Sequence, residues 1–477
     1  MKRLSSLLIL IVSTYFLSAQ SKAEFGANIS AQAAKNDFKI LVNSLLEVHP
    51  TIFKFQSEAD FKRREAAVLN SFNDSVSELE LHREIRRFIH TIGCGHTTAQ
   101  PSLSWYKKQR EDSKILPLTV YFNEKDQLFV KQAFDQDSLL KPGLEILSIN
   151  GRSASSLLRE MRAIQEVDGI SEAYANNRIL KLFGTYHLFL YGRSDVYELS
   201  YLDSLQQKQS LKLEGGKYGP SKRPTNALYG EALVSMDAAA LFQFEDQPNW
   251  AILDHNGFKT RSYKKFYRRV FKELEKRDIQ NLILDLRGNG GGYFPNGNRL
   301  LSYLLEDDFS TDFSRPKKEV SESDQLKMPI GSRITRFLFN LKPDANKEDP
   351  DRNYQLNYRP KKKHAYRGKL YVLTDGGTFS LGSLVATKLK HHRECLILGS
   401  ETGGGEDGSN AVLMYNLVLP SSGIRMRIPY YFLDHKVEPE LEGRGLIPDI
   451  IIDYQPDERL AAKDKELEYL FENHISR

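Results

Sequence analysis

Ser380 stands where a glycine-containing loop enters a helical pattern, a place that suits a catalytic hydroxyl. The apolar run LYVL at 370–373 predicts a strand, TDGGTF follows as a loop, and LGSLVA begins a helix. A serine at such a turn lies near free N–H groups that can stabilise an oxyanion formed by its attack. The alternative role is a helix N-cap, which the pattern by itself favours. Thr378 and Ser383 are nearby hydroxyls, and Ser383 would lie about one turn inside the helix.

A serine nucleophile needs a base, and His96 is the candidate. Lys388 and Lys390 follow Ser380 on the same predicted helix, so they would lie about 12 and 15 Å away, beyond reach. His96 comes after a GCG break at the end of a predicted helix, which favours a fixed and accessible ring. A structural histidine is the alternative at this position. Cys94 could be a thiol nucleophile, although a small buried residue is the favoured interpretation.

Two glycine-rich loops, 288–292 and 376–377, each follow an apolar strand pattern. Ligands in α/β sheets bind outside the carboxyl ends of strands, so these loops could offer N–H groups to an anion. Tight turning is the alternative role, and neither loop has the spacing of a phosphate-binding motif. The sequence contains no HExxH and no paired CxxC, so we predict no metal site and no cofactor.

Composition is that of an ordinary folded protein, which excludes wholesale disorder. The chain has 477 residues, 40% of them apolar and 27% charged, and its formal net charge is +5. This balance gives no electrostatic case for binding nucleic acid. Its only two cysteines, Cys94 and Cys395, exclude a disulfide framework, and the sequence does not decide whether they form a single bridge.

The N-terminus predicts export. Lys2 and Arg3 precede an apolar run of about eleven residues, which small residues around Ala19 follow, as in a secretory signal peptide. We place this peptide at 1–23 and expect the protein in the periplasm or cell envelope, or secreted. No later stretch reaches the roughly 20 apolar residues of a membrane span.

The elements that must position Ser380 and His96 fall into three regions. Residues 24–110 predict an N-terminal helical module, and 111–214 predict a β-rich domain of short strands. Residues 215–455 alternate strands and helices, which predicts a mostly parallel α/β sheet with a polar insertion at about 321–364. The segment GGKYGPSKRPTN at 215–226 is the linker candidate, and 456–477 form a tail.

Several segments, taken in order, resemble motifs of the S41 serine peptidases, the carboxyl-terminal processing and tricorn-type proteases. The resemblance implies a crotonase-like α/β peptidase core, and GLEILSINGRS resembles part of a PDZ domain, so it implies a PDZ-like β-rich domain. The segments are EVHPTIF (47–53), GCGHTT (93–98), GLEILSINGRS (143–153), LILDLRGNGGG (282–292), LYVLTDGGTFSLGSLVA (370–386), LILGSETGGG (396–405) and LEGRGLIPDI (441–450).

The resemblance also implies roles for individual residues. Ser380 matches the nucleophile, while Gly405 stands where the carboxyl-terminal processing branch has its general-base lysine. The tricorn-type branch instead uses a histidine and a glutamate, matched by His96 and Glu442. That branch has a hydroxyl before the histidine, but Gly95 stands there, which leaves Thr97 as the candidate fourth member. The implied oxyanion-hole residues are Gly291, its neighbour Gly292, and Leu381.

Together these observations predict an exported serine endopeptidase with a Ser-His-Glu mechanism. Peptides and unfolded proteins are its expected substrates, and the PDZ-like domain is expected to bind a peptide as an added strand. The alternative is a catalytically inactive S41-like protein that binds peptides or other ligands on the same scaffold. The sequence does not determine the oligomeric state or the cleavage preference.

Overall fold

The structure is a computed structural model in which nearly all of the chain after the N-terminal segment is described. The predicted signal peptide, 1–23, and positions 217–226 of the predicted linker lie outside the described residues. Across the described part, every helix is too short or too polar to pass through a membrane. The described residues are 28–111, 114–134, 140–216, 229–259, 262–316, 320–340, 354–455, 458, 461 and 463–474.

Several helices begin after a serine whose side chain accepts a backbone N–H of the first turn. At α3, the Ser77 hydroxyl accepts the N–H of Glu80, and the Glu80 carboxylate accepts the N–H of Ser77, which forms a capping box. The helices are α1 (Ala31–Val48), α2 (Glu58–Ser71), α3 (Glu78–His90), α4 (Leu103–Glu111), α5 (Ala154–Arg162), α6 (Ala173–Tyr191), α7 (Lys264–Lys276), α8 (Phe294–Leu304), α9 (Ile330–Asn340), α10 (Leu381–His392) and α11 (Lys465–His474).

Strands form several sheets, so the fold is mixed α/β. They are β1 (Asn28–Ile29), β2 (Val76–Ser77), β3 (Thr98–Gln100), β4 (Leu118–Phe122), β5 (Leu128–Ala133), β6 (Glu145–Ile149), β7 (Arg152–Ser153), β8 (Val196–Leu202), β9 (Lys208–Glu214), β10 (Val234–Met236), β11 (Ala239–Gln243), β12 (Trp250–His255), β13 (Asn281–Asp285), β14 (Phe309–Ser314), β15 (Leu326–Lys327), β16 (Tyr354–Tyr358), β17 (Lys369–Thr374), β18 (Leu396–Gly399), β19 (Gly408–Val418), β20 (Arg425–Asp434) and β21 (Ile450–Ile451).

The central sheet has the order β10-β11-β12-β13-β17-β18-β21, and its strands from β12 to β21 are parallel. The middle of β12, β13 and β17 is apolar because both faces of the sheet are covered. In β13, Leu282 and Leu284 enter the large core on one face, while Ile283 enters a smaller core on the other. Since β13 and β17 are adjacent and parallel, the loops that follow them leave the same edge of the sheet.

A second, antiparallel sheet connects the His96 loop to this core. Its order is β15-β19-β20-β14-β16, and the short strand β3 adds to β20. Thr98 pairs with Arg427 in that ladder, so the strand begins two residues after His96. The predicted insertion at 321–364 supplies β15 and β16 to this sheet. Helices α1 to α3 share the large core with both sheets.

The region predicted as β-rich has helices as well as strands. Its sheet has the order β4-β5-β6-β8-β9, with β7 beside β6, and α5 and α6 pack against it. In α6, Ile179, Phe183 and Tyr186 are buried in a core that this unit shares with Trp105 of α4. Their spacing of three to four residues is typical of a helix, whereas the prediction for this region rested on its short strand patterns.

Arg287 fixes the C-terminal helix to the central sheet. Its guanidinium lies 2.9 Å from Asp285, 2.8 Å from Asp464 and 2.9 Å from Glu466. Asp464 precedes α11 and Glu466 lies in its first turn. Further along the same helix, Leu470 packs in the smaller core. The glycine-rich loop after β13 therefore begins at a residue that is held on several sides.

Replacing Arg287 with Ala should lower the free energy of unfolding by about 3–5 kcal/mol, because it leaves partly buried carboxylates without their cation. Urea denaturation measures this change. Arg63→Ala is the control, since its side chain and that of its partner Asp60 are 73% and 39% exposed, and solvent screens such a pair. Equal losses in the two variants would contradict a structural role for the Arg287 network.

Candidate active site

Ser380 lies between β17 and α10 in a backbone conformation that is unusual for a residue with a side chain. Its φ is 55° and its ψ is −123°, and its hydroxyl makes no N-cap hydrogen bond. The Oγ atom instead lies 3.0 Å from Nε2 of His96. The turn therefore directs the hydroxyl away from the helix and toward the imidazole.

Buried hydrogen bonds hold this turn. Oδ1 of Asp375 accepts the N–H of Gly288 at 2.6 Å and that of Gly377 at 2.8 Å, which joins the loops after β13 and β17. The Thr378 hydroxyl donates to the Leu286 carbonyl at 2.8 Å. The Ser383 hydroxyl donates to the Thr378 carbonyl at the same distance. The two other candidate hydroxyls, Thr378 and Ser383, are therefore buried and engaged in holding the loop.

Asn289 joins the same two loops closer to the nucleophile. Its carbonyl accepts the N–H of Phe379, and its Oδ1 accepts the N–H of Gly291, both at 2.9 Å. Gly291 has φ +88°, and a Cβ atom there would lie 2.8 Å from both Ser380 Cβ and the Leu381 nitrogen. Only glycine allows this approach.

The N–H groups of the predicted oxyanion hole differ in availability. That of Gly291 is occupied by Asn289. Those of Gly292 and Leu381 donate to no protein acceptor within the described ranges. A Cβ atom on Gly292 would lie 1.9 Å from the Phe258 carbonyl oxygen, so this residue is also restricted to glycine.

His96 is held as a neutral ring. Burial lowers its pKa to about 3, with a smaller contribution from the positive charge of Arg427. The imidazole stacks on Phe379 with ring centroids 4.8 Å apart, and Phe379 stacks on Tyr174 with centroids 4.0 Å apart. In the tautomer with its proton on Nδ1, the neutral ring offers Nε2 as an acceptor to the Ser380 hydroxyl, as a general base requires.

Glu442 and Thr97 are not brought to His96. Glu442 is exposed, and the buried Nδ1 atom of His96 has no hydrogen-bond partner among the described residues. The Thr97 hydroxyl donates to Cys94 Sγ at 3.2 Å. Burial raises the pKa of the Cys94 thiol to about 12, so it stays protonated, and neither Cys94 nor Cys395 forms a disulfide.

Gly405 stands where the carboxyl-terminal processing branch has a lysine, and its loop packs against Ser380. A Cβ atom on its neighbour Gly404 would lie 2.9 Å from the Ser380 nitrogen and 2.6 Å from Ser383 Oγ. Gly405 itself bridges to Gly445, in the segment that follows Glu442. The space beside Ser380 on this side is filled by backbone.

Residues 249–452 match the model of peptidase family S41. The chain contains an S41 peptidase domain. The predicted S41 assignment is confirmed for this domain, and the domain makes the chain a serine-type peptidase. No protein of curated function matches the sequence at a significant level.

Solved structures with a similar fold cover nearly the whole of this chain. Mature CPAF complexed with lactacystin is 13% identical and covers 93% of this chain and 97% of its own, with a TM-score of 0.65. Mature CPAF alone is 13% identical, with 94% and 99% covered and a TM-score of 0.63. At these identities the likeness concerns the fold.

Sequence reasoning missed residues that support the S41 site. Asn289, Asp375 and Phe379 lie in the two glycine-rich loop motifs, where polar or aromatic residues near glycines were the available signal. Tyr174 has no comparable signal, because its contact with Phe379 joins positions far apart in the chain.

Replacing Tyr174 with Leu should lower kcat about two- to tenfold with little change in KM. The stack that restrains Phe379 and His96 would lose an aromatic pair, which is worth about 0.5–1.5 kcal/mol. Tyr121→Leu is the control, since Tyr121 stacks on Phe129 at 5.2 Å in another sheet. Steady-state kinetics on a short peptide measure kcat and KM for both variants. An equal loss of kcat in the two variants would contradict the role of the stack.

Proposed function

We propose that this S41 peptidase hydrolyses peptide bonds in peptides or unfolded proteins, with Ser380 as nucleophile and His96 as general base. The observation that carries the proposal is the 3.0 Å contact between Ser380 Oγ and His96 Nε2 at a strained turn. A serine hydroxyl is a weak nucleophile until a base accepts its proton. The low pKa of His96 supports this assignment, because the ring is then neutral at physiological pH.

In the proposed reaction, Ser380 Oγ attacks the substrate carbonyl carbon while Nε2 of His96 takes the hydroxyl proton. The free N–H groups of Leu381 and Gly292 are the candidate donors to the oxyanion. The imidazolium then gives the proton to the leaving amine, and water cleaves the acyl-enzyme by the reverse sequence. Glu442 belongs to the proposal as the residue assigned by resemblance to the tricorn-type branch. Its role requires its carboxylate to reach His96 Nδ1, directly or through a bridging hydroxyl.

We further propose that the protein is exported by a signal peptide at 1–23, and that it acts in the periplasm or cell envelope or is secreted. Support comes from the charged start and apolar run of the N-terminal segment. A crotonase-like core and a PDZ-like domain at 111–214 belong to the same proposal. The antiparallel sheet of that region, with edge strands β4 and β9, could receive a peptide as an added strand.

A groove supports substrate capture between this region and the catalytic loops. It has a volume of about 730 Å³ and runs past Asp126 and Glu172 to Asp375 and Gly376, in the loop that precedes Ser380. An extended peptide bound here would approach Ser380 from the side of the 111–214 region. Binding energy gained at such a remote place benefits long substrates and is lost on short ones.

Replacing Ser380 with Ala should abolish hydrolysis, with a loss of roughly 10⁴- to 10⁶-fold in kcat, and should remove labelling by a fluorophosphonate. The variant should keep its fold, because the Ser380 hydroxyl makes no N-cap hydrogen bond that the change would remove. Ser155→Ala, at an exposed serine, should keep both activities. A folded wild type that neither labels nor cleaves would favour the alternative of an inactive binding protein.

Replacing Glu172 with Trp should lower kcat/KM for an unfolded protein much more than for a short peptide, because the ring would fill the groove. Glu172 is 62% exposed, so the change should not disturb the core. Glu172→Gln removes the same charge without the bulk and should leave both substrates nearly unchanged. Equal losses on long and short substrates would show that the groove does not capture substrate.

A further inference from the structure

The segment 168–177 belongs to the region predicted as β-rich, and it lies among the loops that carry the candidate catalytic residues. Gly169 donates its N–H to the Gly93 carbonyl at 2.9 Å, next to the His96 loop. The N–H of Ile170 donates to the Gly443 carbonyl at 2.8 Å, beside Glu442. The segment 168–177 is therefore anchored by backbone hydrogen bonds to two loops of the site.

The same segment packs closely on the loops around Ser380. A Cβ atom on Gly376 would lie 2.2 Å from the Ala173 carbonyl oxygen. A Cβ atom on Gly403 would lie 2.9 Å from the Tyr174 side chain. This fit leaves no room for a shift of the segment without a shift of the nucleophile loop.

Asp168 opens the segment and holds the residue before His96. It is buried, and its Oδ1 accepts the N–H of Gly95 at 2.7 Å. Its Oδ2 is buried without a partner in the part of the chain that is described. A buried carboxylate with a free oxygen costs stability, so its presence at this place calls for an explanation.

The other groups expected to orient His96 are turned away from it. A Cβ atom on Gly95 would lie 2.6 Å from the Phe379 ring, so no hydroxyl fits at that position. Thr97 is bonded to Cys94, and Glu442 is exposed. Of the carboxylates in the described residues, Asp168 is the one bonded to the His96 loop.

We propose that Asp168 is a positioning residue for the general base, and that its ionised carboxylate fixes the Gly95 N–H and thereby the loop that presents His96 to Ser380. This proposal rests on the proposed function of that pair. Asp168 itself touches no reacting atom. Its effect reaches the chemistry through the placement of the imidazole, where an error of about 1 Å can cost a hundredfold in rate.

The charges around Asp168 place its titration near neutral pH. Burial raises its pKa to about 7, against the N–H groups of Gly95 and Gly405, which lower it. Asp407 raises it further, and Lys54, which is paired with Asp407, lowers it. Cys94 and Tyr174 also face Asp168, and both have raised pKa values. The pKa of His96 is far lower, so its titration is separate.

Stability and activity should therefore respond to pH in opposite directions. The folded pKa of Asp168 lies above its unfolded value of about 3.9. Its contribution to stability is then complete below about pH 4 and is lost as pH rises through 7. Activity should rise over the upper part of that range, because the ionised carboxylate holds Gly95 more strongly.

The test compares Asp168→Asn with wild type in kcat, KM and Tm between pH 5 and 9, using a short peptide. We expect a wild-type kcat that rises near pH 7, and a variant whose kcat is tenfold or more lower and flat there, with KM unchanged. The Tm of the variant relative to wild type should increase with pH. Glu78→Gln is the matched control, a buried carboxylate with a raised pKa that accepts the Ser102 N–H at 2.7 Å.

A folded Asp168→Asn variant with wild-type kcat and the same rise near pH 7 would overturn the proposal, as would an equal kcat loss in Glu78→Gln. If Asp168→Asn does not fold, Lys54→Met gives the answer. Loss of that cation should move the wild-type rise to higher pH, and an unmoved rise would overturn the proposal. Fluorophosphonate labelling of wild type at Ser380, absent in Ser380→Ala, first establishes the proposed function independently of these outcomes.

Discussion

The site depends on the close approach of two backbone loops that leave neighbouring parallel strands. The loop after β13 reaches Ser380 so closely that Gly291 has no space for a Cβ atom. Asn289 and Asp375 hold the two loops at that distance through hydrogen bonds to backbone N–H groups. Because β13 and β17 are adjacent in the central sheet, the approach follows from the topology, and the glycines are what allow the loops to use it.

His96 is held by long-range structure. His96 and Ser380 are 284 positions apart, so their contact depends on how β3 joins β20 and on how α3 shares the core with the central sheet. Its Nδ1 has no protein partner in the described residues, and stacking on Phe379 restrains the ring instead. Aromatic packing can fix the plane of an imidazole, while a hydrogen bond would also fix its tautomer.

How much the sequence predicts depends on how local the signal is. The turn at Ser380 and the two glycine-rich loops follow from apolar runs and turn residues, and β13 and β17 appear where the runs predict them. The loop position of His96 makes it the candidate base for Ser380, and the resemblance supports that assignment, although nothing in the spacing joins the two residues. Asp168 and Tyr174 gave no signal, because each acts through a contact with a distant loop. The apolar residues of α6 have helical spacing, although the short apolar runs around them predict a β-rich domain.

Destabilising features are concentrated around Ser380, and stabilising ones surround them. Ser380 has a positive φ, and Asp168 is a buried acid with a free oxygen. Around them are strands buried on both faces and the Arg287 network. Local strain persists only where the surrounding structure over-determines the conformation, so the apolar sheet and its anchored C-terminal helix are conditions for the chemistry as well as for the fold.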